Sequence, residues 1–448
     1  MNEVNFRILD FFKKFHLKNE NYFVLILLFL LISIPFYHII NSFAIAVLFL
    51  TAIFNIIKKP IKINFEFVIV LLFYIIMLFS LFWTKDTNET QIALIKESPL
   101  FIIPFFFISI KNLSVSAKNT IIKYYSFSMV LFSCFFILSA LVKYFLENNI
   151  SVFIGHNLVG KDLNAVHFSV YISIAFFYFL TKQNKAKIEY LLIFLLTLFL
   201  ILLDSKIILY TNVLLISLYV LFYTKSANRL RLRNLVIVII ASLPLFFYNQ
   251  IKEKIEFEFQ LNSDNNIGHA VIPKDQVGKN IISMKQAWSN ESFNQNDYFS
   301  GEAFRIYQFR VILEIMNEEP IFFQGLGLNA SLKKLEEKGI EHNVFLGNEK
   351  ESGYQTKNFH NQYIQIFAEL GIVGFLLFML IVINCLKNAF KSKNFIAISF
   401  SILMISLFLT ESFLWRQRGV VFFITFYCFF NLSNNQSELN TESIPIKK

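Results

Sequence analysis

His360 and Asn361 stand where a stretch that begins polar at Asn358 gives way to an apolar run that continues to Ile383. An unperturbed imidazole titrates near pH 6.5, so a histidine at such a seam can take and return a proton at neutral pH. That is the chemistry of a general base acting on a hydroxyl. A lone histidine at a helix start is more commonly just a satisfied surface residue, so its surroundings must decide. Positive side chains supply a second feature: Arg305 and Arg310 in the polar stretch upstream, Lys206 after Ser205 in a tight hairpin, and Arg416 and Arg418 before the last apolar run. Each alone reads as a long side chain reaching for the interface. Together they offer a cationic face. A diphosphate needs one, because charge-assisted hydrogen bonds hold it and stabilise it as a leaving group.

The elements that must position these residues follow from composition. The chain has 448 residues, 56% of them hydrophobic, with 57 phenylalanines and a mean hydropathy of +0.55. Soluble proteins are about a quarter charged, against 16% here. The fold class is therefore all-α, a polytopic membrane protein. Apolar windows of membrane length begin with Tyr22 to Ile40, a retained signal anchor after the basic N-terminus. Further windows fall near 42–57, 65–83, 92–110, 121–146, 163–180, 188–203, 206–223, 235–248, 362–386, 395–409 and 418–431. These amount to about twelve transmembrane helices. Lys96, Glu97, Pro99 and Pro104 interrupt the window at 92–110.

Lysine and arginine set the orientation. More than half of the 41 basic residues lie in the N-terminal tail, in alternate connections, among them Lys58–Lys62, Lys182–Lys187, Lys225–Arg233 and Lys387–Lys393, and at the C-terminus. That side is expected to be cytoplasmic, with both termini on it. The net charge of +10 is then a topology signal and calls for no nucleic acid. The chain divides into N-terminal membrane helices (1–248, about nine spans), a large helical periplasmic loop or cap (249–361), C-terminal membrane helices (362–431) and a cytoplasmic tail (432–448). Within the cap, helices are expected over Glu302 to Asn317, stopped by Pro320, and over Ser331 to Lys338, ended by Gly339. The Asn- and Ser-rich runs at 262–266 and 289–297 read as mobile loop. Cys134, Cys385 and Cys428 fall in apolar spans, so neither a disulfide nor a thiolate metal site is expected.

Asn361 is followed by Tyr363, then by Glu369-Leu370-Gly371-Ile372-Val373-Gly374 opening an apolar helix. This run resembles the closing signature of the O-antigen ligase and O-antigen polymerase superfamily, membrane glycosyltransferases that use polyprenyl-diphosphate carriers. Arg305 with Phe309, Pro320 and Gly325-Leu326-Gly327 is similar to a second superfamily pattern, in which a tryptophan is more usual at Phe309. Ser205-Lys206 stands where a Ser-Arg pair is typical; lysine keeps the charge and loses the bidentate fork. Glu411-Ser412 also resembles the superfamily, and the likeness runs over roughly residues 160–430. It implies His360 and Arg305 as catalytic residues. Ser205, Lys206, Arg310, Asn361, Arg416 and Arg418 would bind substrate, with no metal and no cofactor.

The implied donor is a lipid-linked glycan on polyprenyl diphosphate, and the implied acceptor is lipid A-core or another glycan. The site would face the periplasm from the bacterial inner membrane, in contact with membrane lipids. Ligase is the leading expectation; polymerase and protein O-oligosaccharyltransferase stay open. A transporter is the non-enzyme alternative, and charges lining a path through the bilayer would favour it. Of the other His-Asn pairs, His156-Asn157 is expected to border the site and His342-Asn343 to be loop. Gln362, Gln365 and Glu369 share one helical face and should pack a polar stripe, while Gly371 and Gly374 allow close approach.

Overall fold

Runs of Leu, Ile and Phe in hydrocarbon must satisfy their own backbone polar groups, so they fold as helices. The computed structural model describes residues 19–58, 64–110, 112–160, 162–223, 280–348 and 352–432. Every expected span falls on helix except the one at 235–248, which lies outside the described residues. Six helices are long and apolar enough to cross a membrane: His38–Ile57, Phe65–Phe82, Thr87–Ser109, Val115–Glu147, Lys206–Tyr223 and Gln362–Ser392. Asn21–Ser33, Ala165–Thr181 and Phe395–Phe408 are apolar and shorter. The protein is a mostly helical integral membrane protein.

Three boundaries differ from expectation, each with a local cause. The first apolar run stops at Ser33 ahead of Pro35, and a new helix starts at His38. The run at 92–110 divides at Ser98, between helices Thr87–Glu97 and Pro99–Ser109, with Pro99 taking the first-turn position it favours. Helix Gln362–Ser392 contains Gly371 at φ 62°, ψ −164°, so it is two helical segments joined at a kink.

The last helix, Gln417–Asn431, is buried without a break from Arg418 to Phe429. A helix apolar on all sides belongs in the middle of a bundle. Its rings pack against neighbours on several sides, with Phe422 4.5 Å from Tyr171 and Phe423 5.2 Å from Phe408. Arg416 and Arg418 are therefore carried to the centre of one end of the bundle. At the other end Asn388 bonds Glu66 and Asn431, and Lys118 donates to the Leu432 carbonyl.

Residues 280–348 and 352–359 build a cap with a core of its own. Helix Gly301–Glu318, capped by Ser300, turns Phe304, Tyr307, Val311, Ile312 and Ile315 inward at helical spacing. The second cap helix runs Ser331–Glu341, straight through Gly339. Gly339 is there for space, since a Cβ would lie 2.5 Å from that of Gln355. The stretch at 289–297 departs from expectation and is tied down. Asp297 accepts from Asn294 N–H and Asn280 Nδ2, and strands Asn280–Ile282 and Asp297–Phe299 pair in parallel. The run at 262–266 lies outside the described residues.

The cap meets the membrane helices through backbone contacts around Gly325-Leu326-Gly327. Leu326 and Gly327 N–H donate to the Ala368 and Glu369 carbonyls, and Ile372 N–H donates to Phe322 across the kink. On the other side, Lys85 N–H donates to Leu326, and Trp83 Nε1 to the Gln324 carbonyl at 2.7 Å. Gly325 (φ 70°) has no room for a Cβ, which would sit 2.3 Å from the Glu369 backbone. Gly371 meets Phe323 at the same 2.3 Å, so its close approach is to this loop, while a Cβ on Gly374 would meet only Leu370 of its own helix. Gly325→Ala adds both a left-handed alanine, costing about 1–2 kcal/mol, and a backbone clash. It should lower the melting temperature of the purified protein markedly; an unchanged melt would show that the seam yields.

Candidate functional site

Three cap-to-membrane contacts converge on the short turn after helix Phe395–Phe408. Asn361 Nδ2 donates to the Leu409 carbonyl at 3.1 Å. Arg305 donates to the Thr410 carbonyl from Nε at 3.3 Å and Nη2 at 3.1 Å. His360 Nδ1 lies 3.6 Å from Glu411 Oε2, just beyond hydrogen-bond length. His360, Arg305 and Glu411, far apart in sequence, thus form one cluster at the seam.

His360 is held there by its neighbours. Phe359 is fully buried in the cap core, and Asn361 caps the following helix by accepting from Tyr363 and Ile364 N–H. Between them His360 has φ 46°, a left-handed conformation that a non-glycine residue adopts at a cost of about 1–2 kcal/mol. Burying a phenylalanine contributes about 1.5–3 kcal/mol and an N-cap about 1 kcal/mol, enough to outweigh that strain. Strain of this kind gathers at functional sites. The imidazole packs edge-on against Phe304 and stays about one third exposed, 33%, so a substrate can reach it.

Glu411 completes the electrostatics. Burial works to raise its pKa, but its contact with His360, with further charge from Arg305, outweighs that and holds the carboxyl below the usual range. Arg305 spends three of its five N–H groups on Thr410 and Gly301, leaving two for a ligand.

The remaining sequence candidates divide. Asn361 uses both ends of its amide in the fold, and it takes up the first free N–H groups of the helix that begins at Gln362. An anion site at that helix start is therefore already filled by the protein. Arg310 is turned into the cap, onto Glu314 and the Asn290 carbonyl. Ser205 is buried, its hydroxyl without a partner among the described residues, and Lys206 is exposed at the start of its helix. Their hairpin adjoins the short helix His156–Val159, where Gly155 N–H donates to the Leu202 carbonyl. His156 is exposed and accepts weakly from Ala165 N–H at 3.5 Å.

His342 is no solvated loop residue. It is buried against Tyr307 Oη at 3.0 Å and Glu314 at 3.1 Å, and burial lowers its pKa while Glu314 works to raise it. The polar stripe is as expected: Gln365 bonds Glu369 and Ser331, and Gln362 accepts from Leu414 N–H.

Arg416 and Arg418 line a cavity of about 390 Å³ at the same end of the bundle. Lys96, His167 and Tyr171 also line it, with exposed Asp162 and His38 contributing. None of these last five was legible as a site residue. Lys96 did signal, as a charge in an apolar run, but it read as a flaw in a span. His167 connects the cavity to the seam: it lines the cavity, and its ring lies 4.5 Å from that of Phe413.

Residues 191–379 match the O-antigen ligase family. The match takes in Lys206, Arg305 and His360 and ends before Glu411, Arg416 and Arg418. No curated protein matches the chain. The matched residues carry a domain of the O-antigen ligase family, and that match, with the apolar helices, implies a membrane glycosyltransferase enzyme.

Proposed function

We propose, from the premise of that domain, that the protein is an O-antigen ligase. It would transfer a glycan from a polyprenyl-diphosphate carrier to a hydroxyl of lipid A-core, on the periplasmic face of the inner membrane. The observation that carries the reading is the His360–Glu411–Arg305 cluster at the seam between cap and bundle. Glu411 beside Nδ1 favours a proton on that nitrogen, which leaves the Nε2 lone pair free to act as base. The acceptor hydroxyl gives its proton to Nε2, and its oxygen bonds to the sugar carbon. The bond from that carbon to the diphosphate breaks, and the electron pair leaves with the lipid diphosphate. Arg305, with two N–H groups to spare, and the cations of the cavity offset the charge that develops.

Among the described residues, His360, Glu411, Arg305 and the cavity cations meet at one end of the bundle beside the cap. A transporter would string them along a path through the bilayer, so this arrangement favours the enzyme. The basic connections at the far end support placing that end in the cytoplasm. The lipopolysaccharide ladder of a deletion strain tests the assignment. Loss of long chains with lipid-linked polymer retained is the expected result. A single repeat unit on core would assign the polymerase reaction, and an intact ladder would sink both.

A further inference from the structure

His360 and Glu411 meet at 3.6 Å, too far for a well-formed hydrogen bond to lock one side chain to the other. Their approach is therefore set by the two chain segments that carry them. The side-chain amide of Gln365, 2% exposed, joins those segments at a single atom. Its Oε1 accepts from the Phe359 N–H and from the Ser412 hydroxyl, each at 3.3 Å. Phe359 directly precedes His360, and Ser412 directly follows Glu411. The other end of the amide is equally committed. Nε2 donates to Ser331 Oγ at 3.1 Å and to Glu369 Oε1, and Ser331 itself donates to Glu369 at 2.9 Å.

A side-chain amide has two acceptor and two donor positions, and this one uses all four. Its orientation is forced, because a backbone N–H can only donate and must meet the oxygen. Turned over, the amide would set N–H against the Phe359 N–H and its oxygen against the Glu369 carboxylate. Gln365 and Glu369 stand one turn apart on the buried face of helix Gln362–Ser392, so the carboxylate orients the amide. Asn361 and Gln362 add ties at the Leu409 carbonyl and the Leu414 N–H, on either side of Glu411 and Ser412. Gln365 closes the span between them, at the residue beside Glu411. We infer that Gln365 is a positioning residue for the reaction: from a buried place it fixes the geometry of the His360–Glu411 pair. The inference rests on the transferase reading, in which His360 is the base.

The test is glycan transfer by the purified full-length protein in nanodiscs, with kcat and KM measured separately. Gln365→Met keeps length and volume and removes all four hydrogen bonds. It should lower kcat about ten- to a hundredfold, the scale that a small misplacement of reacting groups costs. KM should shift by less than about twofold, because the amide does not touch substrate. Ser412→Ala removes one arm of the clamp and should lower kcat about two- to tenfold, the worth of one hydrogen bond. Should Gln365→Met not fold, that milder variant carries the test alone. A double-mutant cycle separates positioning from general support of the fold. With Glu411→Gln already present, either variant should cost almost nothing further, because the geometry it protects has lost its use. Costs that multiply in full, a change confined to KM, or a wild-type kcat in either variant overturns the inference. His360→Ala runs beside them. Transfer at the wild-type rate there defeats the base assignment and this inference with it; its loss beside an unimpaired Gln365→Met defeats the positioning role alone.

Discussion

His360→Ala is expected to lower glycan transfer by about 10²–10⁴-fold, the usual worth of a positioned general base, with no change in membrane abundance. The structure makes this a test of chemistry more than of folding. The backbone at position 360 is fixed from outside by Phe359 in the cap core and Asn361 at the helix start, and neither anchor uses the imidazole. His360→Asn is the sharper control. Asparagine tolerates the left-handed φ of 46° better than most residues, so the variant should fold at least as well while lacking a base. If either variant keeps more than roughly a tenth of wild-type turnover, far above what loss of a base allows, with the chemical step rate-limiting, His360 only positions substrate. The base would then have to be sought among the cavity histidines or at His156. Rates should be measured on purified protein, because a ladder in cells can look normal at a small fraction of full activity.

What could be read from the sequence follows from how local each signal is. The membrane class needs only composition, and helix positions need only the length of apolar runs, so these emerged directly. His360 stood out as a candidate because a polar-to-apolar transition surrounds it in the sequence itself. Its partner Glu411 was noticed only by resemblance, since nothing near it says that the turn after Phe408 folds back under the cap. The glycines were legible as close-approach positions, but not their pairing: Gly325 and Gly371 each make room for backbone of the other's segment, which is a fact of tertiary structure. Arg310 and Asn361 misled in the opposite way. A charge or an amide in an outer loop looks available until its intramolecular partners are visible, and both turn out to be used by the fold. Tyr171 and His167 were hidden most completely. They lie within an apolar helix, where tyrosine and histidine read as core, and only the cavity they line sets them apart.

Glu411→Gln should reduce transfer at least about tenfold, toward the ~10⁴-fold seen when the carboxylate that orients a catalytic histidine is neutralised elsewhere. The substitution keeps shape and volume and removes the charge that selects a proton on Nδ1. With an amide there, the ring can equally carry its proton on Nε2, and that nitrogen can no longer accept one. The loss should appear in kcat more than in KM, because Glu411 touches the base and not the acceptor. Stability gives an independent readout, and its sign is fixed. The Glu411 carboxyl sits below the ordinary range of about 4.3 in the folded protein, so its ionised form contributes stability above that value. That contribution is lost as pH falls through the lower, folded-state pKa. Wild type and Glu411→Gln should therefore differ in melting temperature above the ordinary carboxylate range, and that difference should shrink as pH falls below it and through the lower, folded-state pKa. A difference that persists unchanged into acid would mean that the carboxylate is not what holds His360. A variant with normal kcat would remove Glu411 from the mechanism and leave His360 oriented by Phe304 and the backbone alone.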